Sequence, residues 1–168
     1  MKRIVTILLT FILVLSFCSC VSKQSSPKTS YNNFTVYDYK NNQVSLSDKL
    51  GENKPVIFNY WTTWCPYCLE EMPDFEEVYK EYKDRVTFMM IDVNGGGNDT
   101  IPEAKAYIEK MEYTFPVYFD TDLSATYAYG VSSFPTTGII DTDGNLYYCQ
   151  AGMLSKDRLI TMIEDILN

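Results

Sequence analysis

The sequence contains no histidine. That removes the Ser-His-Asp and Cys-His nucleophile systems, the commonest general base, and most zinc and copper sites built on imidazole. Basic charge is scarce: 14 Lys and Arg stand against 22 Asp and Glu, for a net charge of -8. Binding a nucleic-acid backbone needs a basic surface, so nucleic acid is not an expected partner. Long apolar runs are missing beyond the N-terminal segment, so the body of the chain is not a bundle of membrane helices. What is present is 168 residues, 46% of them apolar, enough for one domain with a real core. Chemistry must come from cysteine, carboxylate, lysine or tyrosine, and the positions of the five cysteines decide where.

Lys2 and Arg3 precede an apolar run from Ile4 to Phe17. The run is too short for a comfortable spanning helix and has the form of a secretory signal core. Leu15-Ser16-Phe17-Cys18-Ser19-Cys20 then resembles a bacterial lipoprotein signal, in which a cysteine after small residues becomes the lipid-bearing first residue of the mature chain. Cys20 is the expected attachment point, because Ser19 beside the cleaved bond is small whereas Cys18 follows bulky Phe17. Cleavage without lipid is the alternative. Residues 1–20 are thus read as a lipoprotein-type signal peptide, 21–32 as a polar, flexible tether, and 33–168 as the folded domain. A diacyl anchor would hold the protein on the outer face of a bacterial cell membrane. Without Lys2 and Arg3 the net charge becomes about -10, which would keep the domain off an anionic bilayer.

Phe34 to Tyr37 alternates as a strand, Asn41-Asn42 marks a turn, and Val44 with Leu46 suggests a partner strand before a short helix capped by Ser47. Pro55 to Trp61 is apolar except for Asn59, the pattern of a strand buried on both faces. A helix follows from Pro66 to about Tyr82, with Pro73 expected to kink it. Val86 to Val93 is a second buried strand ending in Gly95-Gly96-Gly97-Asn98. Thr100 and Glu103 form a capping-box pattern for a helix to about Met111. A strand over Phe115–Phe119 and a helix over Leu123–Tyr129, stopped by Gly130, come next. A hairpin, Thr137–Asp141 with Leu146–Ala151, precedes a last amphipathic helix, Lys156–Leu167, capped by Ser155. The alternation predicts a three-layer α/β/α domain around a mixed sheet. Met72, Met89, Met90, Met111, Met153 and Met162 are expected to pack inside it.

Trp64-Cys65-Pro66-Tyr67-Cys68 lies between a buried strand and a helix start. Free N–H groups and the positive end of the helix dipole there stabilise a thiolate. Cys68 is nearly one turn further in, so both sulfurs face one side; Cys65 is read as the attacking and Cys68 as the resolving cysteine. A structural zinc would want four ligands, and Cys149 is the one further cysteine in the domain. A purely structural disulfide closing so short a loop would add little stability. Neither a cofactor nor a metal is expected. Cys149 itself is read as a small buried apolar residue.

Trp61-Thr62-Thr63-Trp64-Cys65-Pro66-Tyr67-Cys68, Glu71-Met72-Pro73 and Phe134-Pro135-Thr136-Thr137 together resemble the TlpA/ResA-like branch of the thioredoxin fold. The resemblance implies a thioredoxin fold with an N-terminal strand pair and a helix-strand insertion over residues 100–119. It implies that Cys65 and Cys68 are the redox disulfide, that Pro135 is a cis-proline offering backbone groups to a substrate, and that Glu71 assists proton transfer at the buried thiol. Asn59 stands where plain thioredoxin carries a buried aspartate, so Glu71 would replace that group. Trp64, Pro66, Tyr67, Phe134 and Thr136 are the expected substrate platform, while Trp61 is read as core.

The implied activity is extracytoplasmic thiol–disulfide exchange by a monomer. Its expected partners are a substrate protein with a disulfide or thiols, such as a cytochrome c apoprotein, and a membrane thiol electron carrier. The Pro66-Tyr67 pair between the cysteines departs from the branch and leaves the direction open between reductase and disulfide-forming oxidase. A peroxiredoxin-like peroxidase would explain Thr62 three residues before Cys65, but Phe58 stands at the place of the proline of that class. A copper-binding assembly factor would want a histidine.

Overall fold

In the computed structural model, which describes residues 31–168, all six residues of Val56–Trp61 are buried. The expected signal, Cys20 and most of the tether lie outside the described residues. The chain runs β1 (Thr35–Tyr37), β2 (Gln43–Ser45), α1 (Leu46–Leu50), β3 (Val56–Trp61), α2 (Pro66–Tyr82) and β4 (Thr87–Asp92). It continues through α3 (Ile101–Lys110), β5 (Val117–Phe119), α4 (Ser124–Ala128), β6 (Thr136–Ile140), β7 (Leu146–Ala151) and α5 (Lys156–Leu167).

The strands form one sheet in the order β2-β1-β5-β4-β3-β6-β7. β3, β4 and β5 are parallel neighbours, and the other pairings are antiparallel, so the sheet is mixed as expected. Right-handed crossovers taken in one direction across a sheet place their helices on the same face. α2 and α3 are those crossovers, and α5 joins them. Side chains alternate along the strands and so make two cores. Ile57, Trp61 and Met90 pack with Met72 and Phe75 of α2, Ala104 and Ile108 of α3, and Leu159 and Ile163 of α5. Phe58, Tyr60, Met89 and Ile91 pack on the other face with Leu46 of α1 and Ala125 of α4. The insertion over residues 100–119 is α3 with β5, which joins the sheet beside β4.

Gly138 of β6 lies opposite Phe58 in register, and a Cβ there would stand 2.1 Å from the Phe58 ring. Only glycine lets the ring cross the strand at that point.

Several local expectations differ from the structure. Leu46 starts α1 instead of ending β2, and Ser45, not Ser47, is its cap, in a full capping box with Asp48. Asp48 accepts from the Ser45 amide, an acceptor that a cap at Ser47 would lack. Ser155 stands at the α5 cap position but its side chain makes no capping hydrogen bond among the described residues. Met111 and Met153 are exposed instead of packed. Cys149 on β7 is a free thiol and only half-buried, because the last strand forms the sheet edge.

Candidate active site

Cys65 is the N-cap of α2: its backbone is extended, Pro66 occupies the first helical turn, and its Sγ accepts the Cys68 amide at 3.2 Å. A sulfur in that position takes the place of the serine or aspartate oxygen that usually caps a helix. The two cysteines are joined as a disulfide with Cα atoms 5.3 Å apart. Cys65 keeps 4% of its surface exposed and Cys68 none, so the outer sulfur is the one an incoming group can reach.

The loop that delivers Cys65 is tied from below. The buried Asp99 carboxylate accepts the Thr63 amide at 2.5 Å and its hydroxyl at 2.7 Å, and also the Thr100 amide at 2.9 Å. The loop before α3 thus grips the segment two residues before the cysteine. Asp92, at the end of β4 and fully buried, is pushed up to about 9 by burial and by the negative charge of Asp99.

Glu71 is only 2% exposed although it is a carboxylic acid. One carboxyl oxygen accepts from the Asn59 side-chain amide at 2.8 Å, the other from the Leu154 backbone amide at 2.8 Å. Burial raises its titration to about 7, against those two donors, which favour the anion. A carboxyl that titrates near neutrality one turn beyond Cys68 can give or take a proton at working pH.

On the surface, the Phe134–Pro135 peptide is cis, and the Pro135 carbonyl accepts from Gly152 at 2.8 Å. An apolar groove of about 300 Å³ is lined by Tyr67, Phe134, Pro135, Gly152 and Met153. Trp64 is 52% exposed and Tyr67 61%, and Trp64 meets Phe134 edge to face at 5.8 Å. Pro66 is exposed beside them. The structure therefore brings together Trp64, Pro66, Tyr67, Phe134 and Pro135. It sets Thr136 apart: that side chain is buried and its hydroxyl donates to the Ser133 carbonyl, so the expected platform role is corrected. Among the described residues no group of three or more cysteine or carboxylate side chains is placed to hold a metal ion.

Residues 27–149 match the AhpC/TSA family. The chain belongs to that family. It is 32% identical over 135 residues to the thiol-disulfide oxidoreductase ResA of Bacillus thuringiensis subsp. konkukian, a match that covers 80% of this chain and 75% of the relative. It is 33% identical over 134 residues to ResA of Geobacillus kaustophilus, covering 79% of this chain and 74% of that one. Among solved structures it resembles the pneumococcal exposed lipoprotein thioredoxin Etrx1 of Streptococcus pneumoniae, with a TM-score of 0.69 and 27% identity over 79% of this chain and 98% of that one. A thiol:disulfide interchange protein of Chlorobium tepidum gives a TM-score of 0.71 at 27% identity, over 83% of this chain and 97% of that one.

The fold is thus a thioredoxin fold, and the chain is a thiol–disulfide oxidoreductase with Cys65 and Cys68 as its redox-active pair. The two cysteines stand three residues apart, a spacing suited to exchange with another disulfide. Sequence reasoning missed Met153, Gly152 and the Asp99 tie. Gly152 and Met153 follow the end of β7, which the hairpin sets opposite Thr136 at the start of β6, and the Gly152 amide bonded to the Pro135 carbonyl brings them to the groove. The one local signal for Asp99 was its place before the Thr100 cap.

Proposed function

We propose that this chain is an exported, membrane-tethered reductase of disulfides in specific extracytoplasmic proteins. The reading rests above all on the Cys65 sulfur capping α2, two residues before Tyr67 of the apolar groove, with Cys68 fully buried. The leader, with Cys20 as the lipid-bearing residue, supports placement on the outer face of the membrane.

In the reduced protein the Cys65 thiolate attacks one sulfur of a client disulfide. A mixed disulfide forms and the client's second sulfur leaves as a thiolate. Glu71 takes the proton from Cys68, whose thiolate attacks Cys65 Sγ. The Cys65–Cys68 disulfide closes, the client's first sulfur leaves, and two electrons have passed to the client. A membrane thiol carrier then returns two electrons and two protons. Through the step, Trp64, Pro66, Tyr67, Phe134 and Met153 cover the apolar side chains flanking the client cysteine, and the Pro135 loop lies against its backbone. A cytochrome c apoprotein is a client of suitable chemistry, an exported chain with a paired cysteine motif.

A Cys68→Ser variant tests the assignment. Client proteins should accumulate as mixed disulfides through Cys65, and none should form with Cys65→Ser. Equal trapping by both variants would reverse or abolish the roles of attacking and resolving cysteine. A reduction potential below that of glutathione supports a reductase, and one well above it an oxidase.

A further inference from the structure

β3 carries a single amide side chain among apolar and aromatic ones. Asn59 is buried at the middle of the strand, where an amide carries a desolvation cost unless it is hydrogen-bonded. Its nitrogen uses both hydrogens: one goes to Glu71 Oε1 at 2.8 Å, the other to the Thr137 hydroxyl at 3.0 Å. Its oxygen has no partner among the described residues. A carboxylate offers only acceptors, so the amide must turn its nitrogen to Glu71 and leave its own oxygen unpaired. Thr137, the residue directly across β6 from Asn59, takes the second hydrogen. The amide is held between a hydroxyl and a carboxyl, in an arrangement that serves the ionised acid at its own expense.

We propose that Asn59 is a positioning residue for the proton step: clamped by Thr137, its amide holds the Glu71 carboxyl in its ionised form, ready to take the proton of Cys68. The proposal rests on Glu71 as the proton acceptor of Cys68 and deepens that reading. The surroundings of Glu71 leave this task to Asn59 and one backbone amide. On α2, Cys68 lies one turn before it and Asp74 one turn after, and the Asp74 charge works against ionisation. β6 offers the neutral Thr137. From the segment before α5 the Leu154 amide reaches the second oxygen, while the Lys156 ammonium pairs with Glu77 and its backbone amide bonds Asp74. Among the described residues no cation acts on Glu71. Burial raises the titration of this acid and the two donors lower it, so they work together against burial.

The test is the pH dependence of turnover of a model peptide disulfide by the reduced full chain, in wild type, Asn59→Ala, Glu71→Gln and the double variant. Wild type should show an acid limb, and Asn59→Ala should move its midpoint up by about one pH unit, the effect of one hydrogen bond to a charged group. At the foot of the limb that is about a tenfold loss, with no loss above it. In the Glu71→Gln background the share of the limb due to Glu71 should be gone, leaving that of the Cys65 thiolate, and Asn59→Ala should change nothing. A loss of equal size at every pH, or one that persists without Glu71, would overturn the proposal. A Glu71→Gln profile that matches wild type would overturn the reading of Glu71 itself and the proposal with it. Should Asn59→Ala fail to fold, proton NMR of the wild type decides. The Asn59 side-chain amide signals should shift with the Glu71 carboxyl, and signals that stay flat while Glu71 titrates would refute the link.

Discussion

Nearly two turns of helix separate a sulfur meant to be ionised from a carboxyl meant to hover between states. Cys65 meets the open amides of α2, whereas Glu71 meets a dry core softened by two donors. The carboxyl's folded titration is raised to about 7, above its unfolded value. Its contribution to stability is therefore full below the unfolded value near 4.5 and is lost as pH rises through 7. Glu71→Gln should flatten that part of the stability curve, which thermal unfolding of the oxidised protein at pH 5 and pH 8 would show. Met153 makes a second prediction at this scale. It is exposed in the groove between two anchored neighbours, Gly152 bonded to Pro135 and Leu154 bonded to Glu71. Met153→Asp should raise KM for a client peptide about tenfold, the cost of about 1.4 kcal/mol of lost apolar contact, while leaving reduction by dithiothreitol unchanged. An equal effect on both would place Met153 in the chemistry instead of in recognition.

Elements decide what a side chain can reach. β6 brings Pro135 and Thr137 to the two ends of the site, and it can do so only because Gly138 lets Phe58 lie across it. Gly138→Ala should destabilise the fold by about 1–3 kcal/mol through overpacking, measured by denaturant unfolding. A value near zero would mean that the ring moves freely. Much of this layer was legible in the sequence. The central strand, helix α2, the hairpin and α5 follow from an apolar run, Pro66 at a helix start, Asp143-Gly144 in a turn, and a regular apolar stripe. So was the redox pair, and one helix likewise fixes the place of Glu71 a turn beyond Cys68. The errors fell where two elements abut or where tertiary contact prevails. The β2–α1 junction shifted because Asp48 completes a box with Ser45 and leaves Ser47 inside the helix. Thr136 turned inward because its hydroxyl reaches Ser133, and Met153 turned outward because its two neighbours are held by distant residues. Asp99 offered one local signal, its place before the Thr100 cap, which does not point to Thr63, 36 residues away.

For the whole molecule, the acids matter in bulk and one by one. Asp92 is raised to about 9 by burial and by Asp99, so its contribution to stability is complete below its unfolded value near 3.8 and fades as pH rises through 9. Asp92→Asn should therefore gain stability over wild type as pH goes from 5 to 8, by on the order of 1 kcal/mol or more. Calorimetric unfolding at the two pH values checks this, and a difference that does not grow with pH contradicts it. The net charge of -8 also opposes any further anion on the chain. The Cys65 thiolate forms against that background field, so the amides of α2 must outweigh it locally, by direct hydrogen bonding and by the helix dipole. The most direct test is the rate of iodoacetamide alkylation of the reduced protein as a function of pH, resolved for each cysteine. Cys65 should react with a midpoint well below the roughly 8.5 of an ordinary thiol, while Cys68 stays slow. Two cysteines that both titrate like those of a short peptide would mean that no thiolate is held at the head of α2.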